Sequence, residues 1–117
     1  MIESFGIGID LSNIDRFKQK SFEKNESFYK KNFTENEITY CLKFKNYYEK
    51  FAGKFALKEA LIKSIHKKID FSQIETSYLD SKPIITILNS KENYHFLVSL
   101  SHENNFAVAV VISEKIT

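Results

Sequence analysis

The chain has 117 residues, 43% hydrophobic and 27% charged, with 11 Phe, 6 Tyr, no Trp, one Pro and three Gly. That balance suits one globular domain over residues 1–117 with an aromatic core, and it leaves little room for long flexible linkers. A net charge of only +2 argues against bulk nucleic-acid binding, and no apolar stretch approaches the ~20 residues of a membrane span. The single cysteine, Cys41, cannot form an internal disulfide and favours a reducing compartment. The chain shows no basic segment followed by a long apolar run, so no signal peptide is expected and the expected location is cytoplasmic.

The first predicted element is a strand over residues 4–10. Phe5, Ile7, Ile9 and Leu11 share one face, and Gly6, Gly8 and Asp10 the other. The second face is nearly bare, and strand glycines often mark close approach by another backbone or a ligand. A carboxylate at its end is placed for a cation or a substrate. Taken alone, a strand ending at a surface turn, with Asp10 starting the next element, is the better account. Ser12 or Asn13 can cap a helix from Ile14 to about residue 24, with Ile14 and Phe17 inward. Between residues 12 and 31, Arg16, Lys18, Lys20, Lys24, Lys30 and Lys31 stand against Asp15, Glu23 and Glu26. Such a basic segment suits an acidic partner or phosphates. Arg16 is the only arginine among 17 Lys and Arg residues. A guanidinium kept against that bias can serve forked recognition of carboxylate or phosphate.

A break around residues 25–27 and a short helical piece through Phe28 come next. Thr34-Glu35-Asn36-Glu37 is a capping box, so a helix starts there, with Ile38, Cys41 and Leu42 as its apolar stripe. The clearest helix covers about residues 49–66. Phe51, Phe55 and Ile62 share one face and are expected in the core. Ala52, Ala56, Glu59, Ala60 and Lys63 cluster on another, small enough for a neighbouring backbone such as the bare face of the first strand. Strands are predicted over residues 74–78 and 84–88, separated by a turn at 80–83. Residues 96–101 and 106–112 then form an antiparallel hairpin turning at 103–105. Helices early and strands late predict an α+β fold in which the first strand joins the later sheet.

Glu59 and Lys63 lie one helical turn apart, ordinarily a stabilising pair worth a few tenths of a kcal/mol. On a partly buried alanine face such a pair needs a further reason. Asp10 and Glu59, from different elements, can converge on one Mg²⁺, which favours one or two carboxylates completed by waters and substrate phosphates. Lys58 and Lys63 would then neutralise phosphate oxygens. His102 follows Ser99, Leu100 and Ser101 at a strand end, where it can contact a phosphate or accept a proton. A lone histidine is more often a surface or capped residue, and His66 and His95 are read as structural. The chain has no cysteine–histidine zinc spacing, phosphate-binding glycine loop or serine elbow.

Four blocks stand in order along almost the whole chain. They are Gly6-Ile7-Gly8-Ile9-Asp10-Leu11 with Ile14 and Arg16, and Phe33-Thr34-Glu35-Asn36-Glu37 with Ile38, Tyr40 and Cys41. The third and most diagnostic is Phe51-Ala52-Gly53-Lys54-Phe55-Ala56-Leu57-Lys58-Glu59-Ala60. The fourth is Val98-Ser99-Leu100-Ser101-His102, followed by Ala107-Val108-Ala109. With these the chain resembles the holo-acyl-carrier-protein synthases, the small bacterial class of 4′-phosphopantetheinyl transferases.

The resemblance implies that family's fold, an antiparallel sheet packed against helices. It also implies transfer of 4′-phosphopantetheine from coenzyme A to a serine of apo-acyl carrier protein, releasing adenosine 3′,5′-bisphosphate, in fatty acid biosynthesis. By the same resemblance Asp10 and Glu59 bind Mg²⁺, and Asp10, Glu59, Lys63 and His102 form the catalytic set. Lys54, Lys58, Lys63, Ser101 and His102 contact coenzyme A. The serine proton leaves to a water backed by Glu59, with His102 as the rival base. A homotrimer is implied, with three sites at subunit interfaces. Asp10 and Glu59 come from one subunit, Ser101 and His102 from its neighbour. The basic first helix docks an acidic helix of the carrier through Arg16, with Lys20 and Lys24 in support.

Two stretches depart from the family pattern. A glycine-rich stretch after the Lys-Glu-Ala helix is replaced by Ser64 to Phe71, which is shorter and lacks glycine. Lys67 or Lys68 can substitute there as point charges for lost backbone contacts to coenzyme A. The usual Gly-Lys-Pro turn reads Ser81-Lys82-Pro83. The altered loop keeps a second reading open, a non-catalytic module that binds acyl carrier protein.

Overall fold

The computed structural model describes residues 1–117. Strand β1 (Ile2–Asn13) leads into α1 (Ile14–Lys18), α2 (Glu26–Asn32), α3 (Glu35–Cys41) and the long α4 (Tyr47–Ile65). A 3₁₀ turn at Phe71–Gln73 precedes β2 (Ile74–Leu79), β3 (Lys82–Ile87), β4 (Asn93–Glu103) and β5 (Phe106–Ile116). The fold is α+β, and the first strand joins the C-terminal sheet as the sequence predicts. β5 lies between β1 and β4, antiparallel to both, while β2 and β3 form a separate hairpin. No helix is long and apolar enough to cross a membrane.

Helix α4 is the centre of the molecule, and its two sides are packed by different means. Against the sheet the contact is made of small residues, with Ala56 and Ala60 facing the buried Ala107 and Ala109 and the glycines of β1. A Cβ on Gly6 would lie 1.7 Å from the carbonyl oxygen of Ser64, and one on Gly8 would lie 1.9 Å from that of Ala60. Strand and helix backbones therefore touch, which is what the bare strand face is for. Against the helices the contact is aromatic. Phe17, Tyr29, Phe33 and Phe51 are fully buried, with the Phe51 ring 4.6 Å from Tyr29 and 4.7 Å from Phe33. Burying each such side chain is worth roughly 1.5–3 kcal/mol. Phe55 and Ile62 are only half-buried at the edge of this core.

The helix predicted over residues 14–24 stops at Lys18. Beyond it, side chains take over the backbone groups that a helical ladder would have used. The Tyr29 hydroxyl donates to Lys20 O at 2.5 Å, Phe22 N donates to the Tyr47 hydroxyl at 3.2 Å, and Asn25 Nδ2 donates to Ser21 O at 2.8 Å. The capping box forms as expected, with Glu37 N donating to Thr34 Oγ1 and Thr34 N to Glu37 Oε1. Helix α4 ends on His66 at φ 56°, a left-handed cap more often filled by glycine.

The alternation of β1 has its apolar face outward. Phe5, Ile7, Ile9 and Leu11 are 59–68% exposed. Ile7 is paired with Ile112, which is paired with Leu97, so the apolar row continues across all three strands of the sheet.

Candidate active site

Because odd-numbered residues of β1 face outward, the even-numbered Asp10 faces α4. Its side chain is 17% exposed. Oδ2 accepts from Ser12 Oγ at 3.0 Å, and Oδ1 lies 3.4 Å from Lys63 Nζ, which also donates to Ile9 O at 3.0 Å. Lys63 thus reaches across to β1, although its spacing on the helix also allows a pair with Glu59. Glu59 lies within electrostatic reach of the same carboxylate. Its pKa is raised, first by burial and then by the negative charge of Asp10, while Lys63 and Arg16 pull the other way. The close approach at Gly8 seats the strand that carries Asp10 against the helix that carries Glu59.

A cleft of about 450 Å³ opens beside Glu59. Phe55 lines it from α4, Lys31 and Asn32 from α2, and Asp70, Phe71 and Ser72 from the segment at the 3₁₀ turn. The Arg16 guanidinium lies 4.6 Å from the centre of the Phe55 ring, at the rim of this cleft. Arg16 also lines a second hollow with Asn13, Asp15, Gln19 and Lys20 that has no apolar wall. Lys20 Nζ sits 4.1 Å over the Phe28 ring, and Lys24 is exposed in the turn beyond. The sequence did not mark Asn32, Asp70 or Phe71 as cleft walls. Phe55, expected in the core, lines the cleft instead, because helical periodicity gives a side chain's direction and not what covers it.

The expectation that Lys54 and Lys58 contact coenzyme A is corrected by their burial. Lys58 is fully buried, and its Nζ donates to Glu37 Oε1 at 2.6 Å, Asn32 O at 2.9 Å and Phe71 O at 3.0 Å. Lys54 Nζ donates to Thr76 O at 3.0 Å and Thr76 Oγ1 at 2.9 Å. Thr76 in turn donates to Glu37 Oε2 from N at 2.8 Å and Oγ1 at 2.7 Å. These ammoniums join α4 to α3 and β2 instead of facing the cleft. Losing one partner of such a buried pair typically costs about 3–5 kcal/mol. Of the two loop lysines, Lys67 pairs with Glu92, and Lys68 is exposed.

Ser101 and His102 are not brought to Asp10 and Glu59 within one chain. His102 is paired with Ala107, and Ala107 with Ser12. Two strand spacings, roughly 10 Å, therefore separate His102 from Ser12. The imidazole packs against α4 at Gly53, where an added Cβ would sit 3.3 Å from Nε2. Both residues are exposed, and Ser101 alternates onto the outer apolar face with Leu97.

The donor set at Asp10 and Glu59 narrows the chemistry. No cluster of three or more His, Cys, Asp or Glu side chains gathers in the chain. Two carboxylates within electrostatic reach, one of them lining the cleft, fit Mg²⁺, which keeps waters and takes the rest of its oxygens from substrate phosphates.

The family model of the 4′-phosphopantetheinyl transferase superfamily matches residues 6–111. A holo-[acyl-carrier-protein] synthase of Thermodesulfovibrio yellowstonii is 39% identical over 116 residues, covering 96% of this chain and 98% of that protein. The solved holo-[acyl-carrier-protein] synthase of Bacillus anthracis, in complex with CoA (3′,5′-ADP), superimposes with TM-score 0.76 at 34% identity, over 93% of this chain and 95% of that one. That of Thermotoga maritima superimposes with TM-score 0.78 at 32% identity, over 99% of this chain and 66% of that one.

Proposed function

The chain belongs to the 4′-phosphopantetheinyl transferase superfamily, and on that footing we propose that it transfers 4′-phosphopantetheine from coenzyme A to a serine of apo-acyl carrier protein. The other product is adenosine 3′,5′-bisphosphate, and the step is Mg²⁺-dependent and serves fatty acid biosynthesis. The observation that carries this reading is that Glu59, which lines the cleft, lies within electrostatic reach of the Asp10 carboxylate, with Arg16 over the Phe55 wall of the same cleft. The lone, buried Cys41 supports a reducing, cytoplasmic setting.

Asp10 and Glu59 hold the cation. Bound Mg²⁺ supplies polarisation of the pyrophosphate and stabilisation of charge on the leaving group. Lys63 spends two of its three donors on Ile9 O and Asp10, leaving one for a phosphate oxygen. The rest of coenzyme A lies in the cleft beside Glu59. The carrier serine attacks the phosphorus bearing pantetheine, and its proton leaves toward a water beside Glu59. Ser101 and His102 meet coenzyme A from a neighbouring copy, in a homotrimer closed through the outer face of the sheet. The exposed row of Phe5, Ile7, Ile9 and Leu11 supports that assembly, because a face of this kind on a single chain marks an interaction site. Sedimentation equilibrium is expected to give a three-chain species that Ile7→Glu converts to single chains. A monomeric parent protein would remove the shared-site arrangement.

The direct test is to incubate the protein with apo-acyl carrier protein, coenzyme A and Mg²⁺ and to weigh the carrier by intact-mass spectrometry. A gain of one phosphopantetheine, abolished by chelator, is expected. No gain, with the protein folded and the carrier competent toward a control transferase, would overturn the enzyme reading in favour of the non-catalytic carrier-binding module. Arg16, with Lys20 and Lys24, docks the acidic carrier. Arg16→Ala is expected to raise the KM for carrier about tenfold, equivalent to roughly 1.4 kcal/mol of lost contact, with smaller effects on coenzyme A. An unchanged KM for carrier would put the docking charge elsewhere.

A further inference from the structure

Lys58 is adjacent to Glu59 on α4, yet it turns away from solvent and spends all three ammonium donors inside the protein. One donor goes to Glu37 for charge balance. The other two go to the carbonyls of Asn32 and Phe71. Asn32 is the last residue of α2 and Phe71 the first of the 3₁₀ turn, and both line the cleft beside Glu59. The carbonyl at the end of α2 has no helical donor of its own. The ammonium is the one hydrogen-bonding bridge between α2 and the turn. Glu37 is itself held by Thr34 N and by the backbone and hydroxyl of Thr76, so the pin is anchored to α3 and β2.

We propose that Lys58 is a positioning residue for coenzyme A, fastening the two walls of the cleft at Asn32 and Phe71 to α4 and so setting the width of the groove beside Glu59. The proposal rests on the transferase reading above. Without the ammonium the walls lose their common anchor, and the ligand must order them on binding, which costs affinity. Arg16, the main carrier contact, sits on α1, which makes none of the bonds of this bridge.

The test compares Lys58→Met/Glu37→Gln with Glu37→Gln alone. The double variant removes the bridge without leaving a buried charge unpaired. The single variant leaves the Lys58 ammonium without its counter-charge, a stability cost followed separately by denaturant unfolding, but keeps both carbonyl acceptors. Coenzyme A affinity is read by calorimetry with Mg²⁺ present, and KM is measured for both substrates. In the double variant the Kd and KM for coenzyme A are expected to rise about tenfold, with the KM for carrier unchanged and Glu37→Gln close to the parent protein. Parent-like coenzyme A affinity in the double variant overturns the proposal. So does an equal loss in Glu37→Gln, or a loss confined to kcat or to carrier KM. If the double variant does not fold, amide exchange on the parent protein decides. Coenzyme A must then slow exchange in residues 30–33 and 69–73 together, and an unresponsive segment on either side overturns the proposal. A parent protein that binds no coenzyme A refutes the transferase reading, a result distinct from loss in the variant alone.

Discussion

Asp10→Asn and Glu59→Gln are each expected to reduce phosphopantetheine transfer by about 10³-fold or more, with the protein still folded. Removing one preorganised charged contact from a transition state costs about 10²–10³ in rate. Here the two carboxylates act on one cation, so either loss disables the pair. The stability of Glu59→Gln should move the other way. Burial first, and then Asp10, raise the Glu59 pKa in the folded protein. An acid with a raised folded-state pKa binds its proton more tightly when folded. The fold therefore loses stability as pH rises from the ordinary carboxylate value of 4.5 through the raised one. Glu59→Gln stays neutral and escapes that loss, so its Tm at neutral pH without Mg²⁺ should equal or exceed that of the parent protein. Turnover at saturating Mg²⁺ and coenzyme A, followed by carrier mass, is the measurement. Near-parental rates in either variant would take that residue out of the metal site.

Gly8→Ala is expected to destabilise the protein by about 3 kcal/mol or more, the upper end of what overpacking costs. The added Cβ would meet Ala60 O at 1.9 Å and Ala60 C and Ser64 N at 2.9 Å, all backbone atoms that cannot rotate away. Either α4 lifts from β1 or the strand bends. Both movements part Asp10 from Glu59, and a displacement of about 1 Å at a reacting centre can cost roughly 10²-fold in rate. Gly53→Ala is the control for stability. Its nearest neighbours are the Leu100 side chain at 3.1 Å and the His102 ring at 3.3 Å, which can give way. Denaturant unfolding of both variants, with transfer rates on the surviving folded protein, checks the contrast. A parental midpoint for Gly8→Ala would mean that strand and helix are not in backbone contact.

The features legible in the sequence were local ones with one physical cause. Period-2 alternation identified the two faces of β1, and Gly6 and Gly8 announced a close backbone neighbour. The capping box placed the start of α3. What was not legible depended on partners distant in the chain. The basic first helix is cut short because Tyr29 and Tyr47 reach back to Lys20 and Phe22, and no local signal carries that bond. Lys54 and Lys58 look like surface charges. Yet α4 is enclosed by the sheet on one side and by helices on the other, so its buried residues run nearly all round it. Inside such a helix a lysine is decided by its acceptors, and Glu37, Thr76, Asn32 and Phe71 lie in four separate segments. The outward apolar row of β1 was legible as a face, but its burial depends on what lies beyond one chain.

The antiparallel pairing of β1 with β5 also sets the order in which the site can come into being. Ile7 lies opposite Ile112, so β1 must wait for nearly the whole chain before its ladder can close. Contacts so far apart in sequence form late and slow folding. The aromatic cluster of α1, α2 and α4 is comparatively local and can collapse first. Asp10 travels on the late strand and Glu59 on the early helix, so a refolding chain acquires cation affinity only when its sheet closes. Until then Phe5 to Leu11 is an unpaired alternating strand whose only charge is Asp10, the kind of segment that aggregates while it waits.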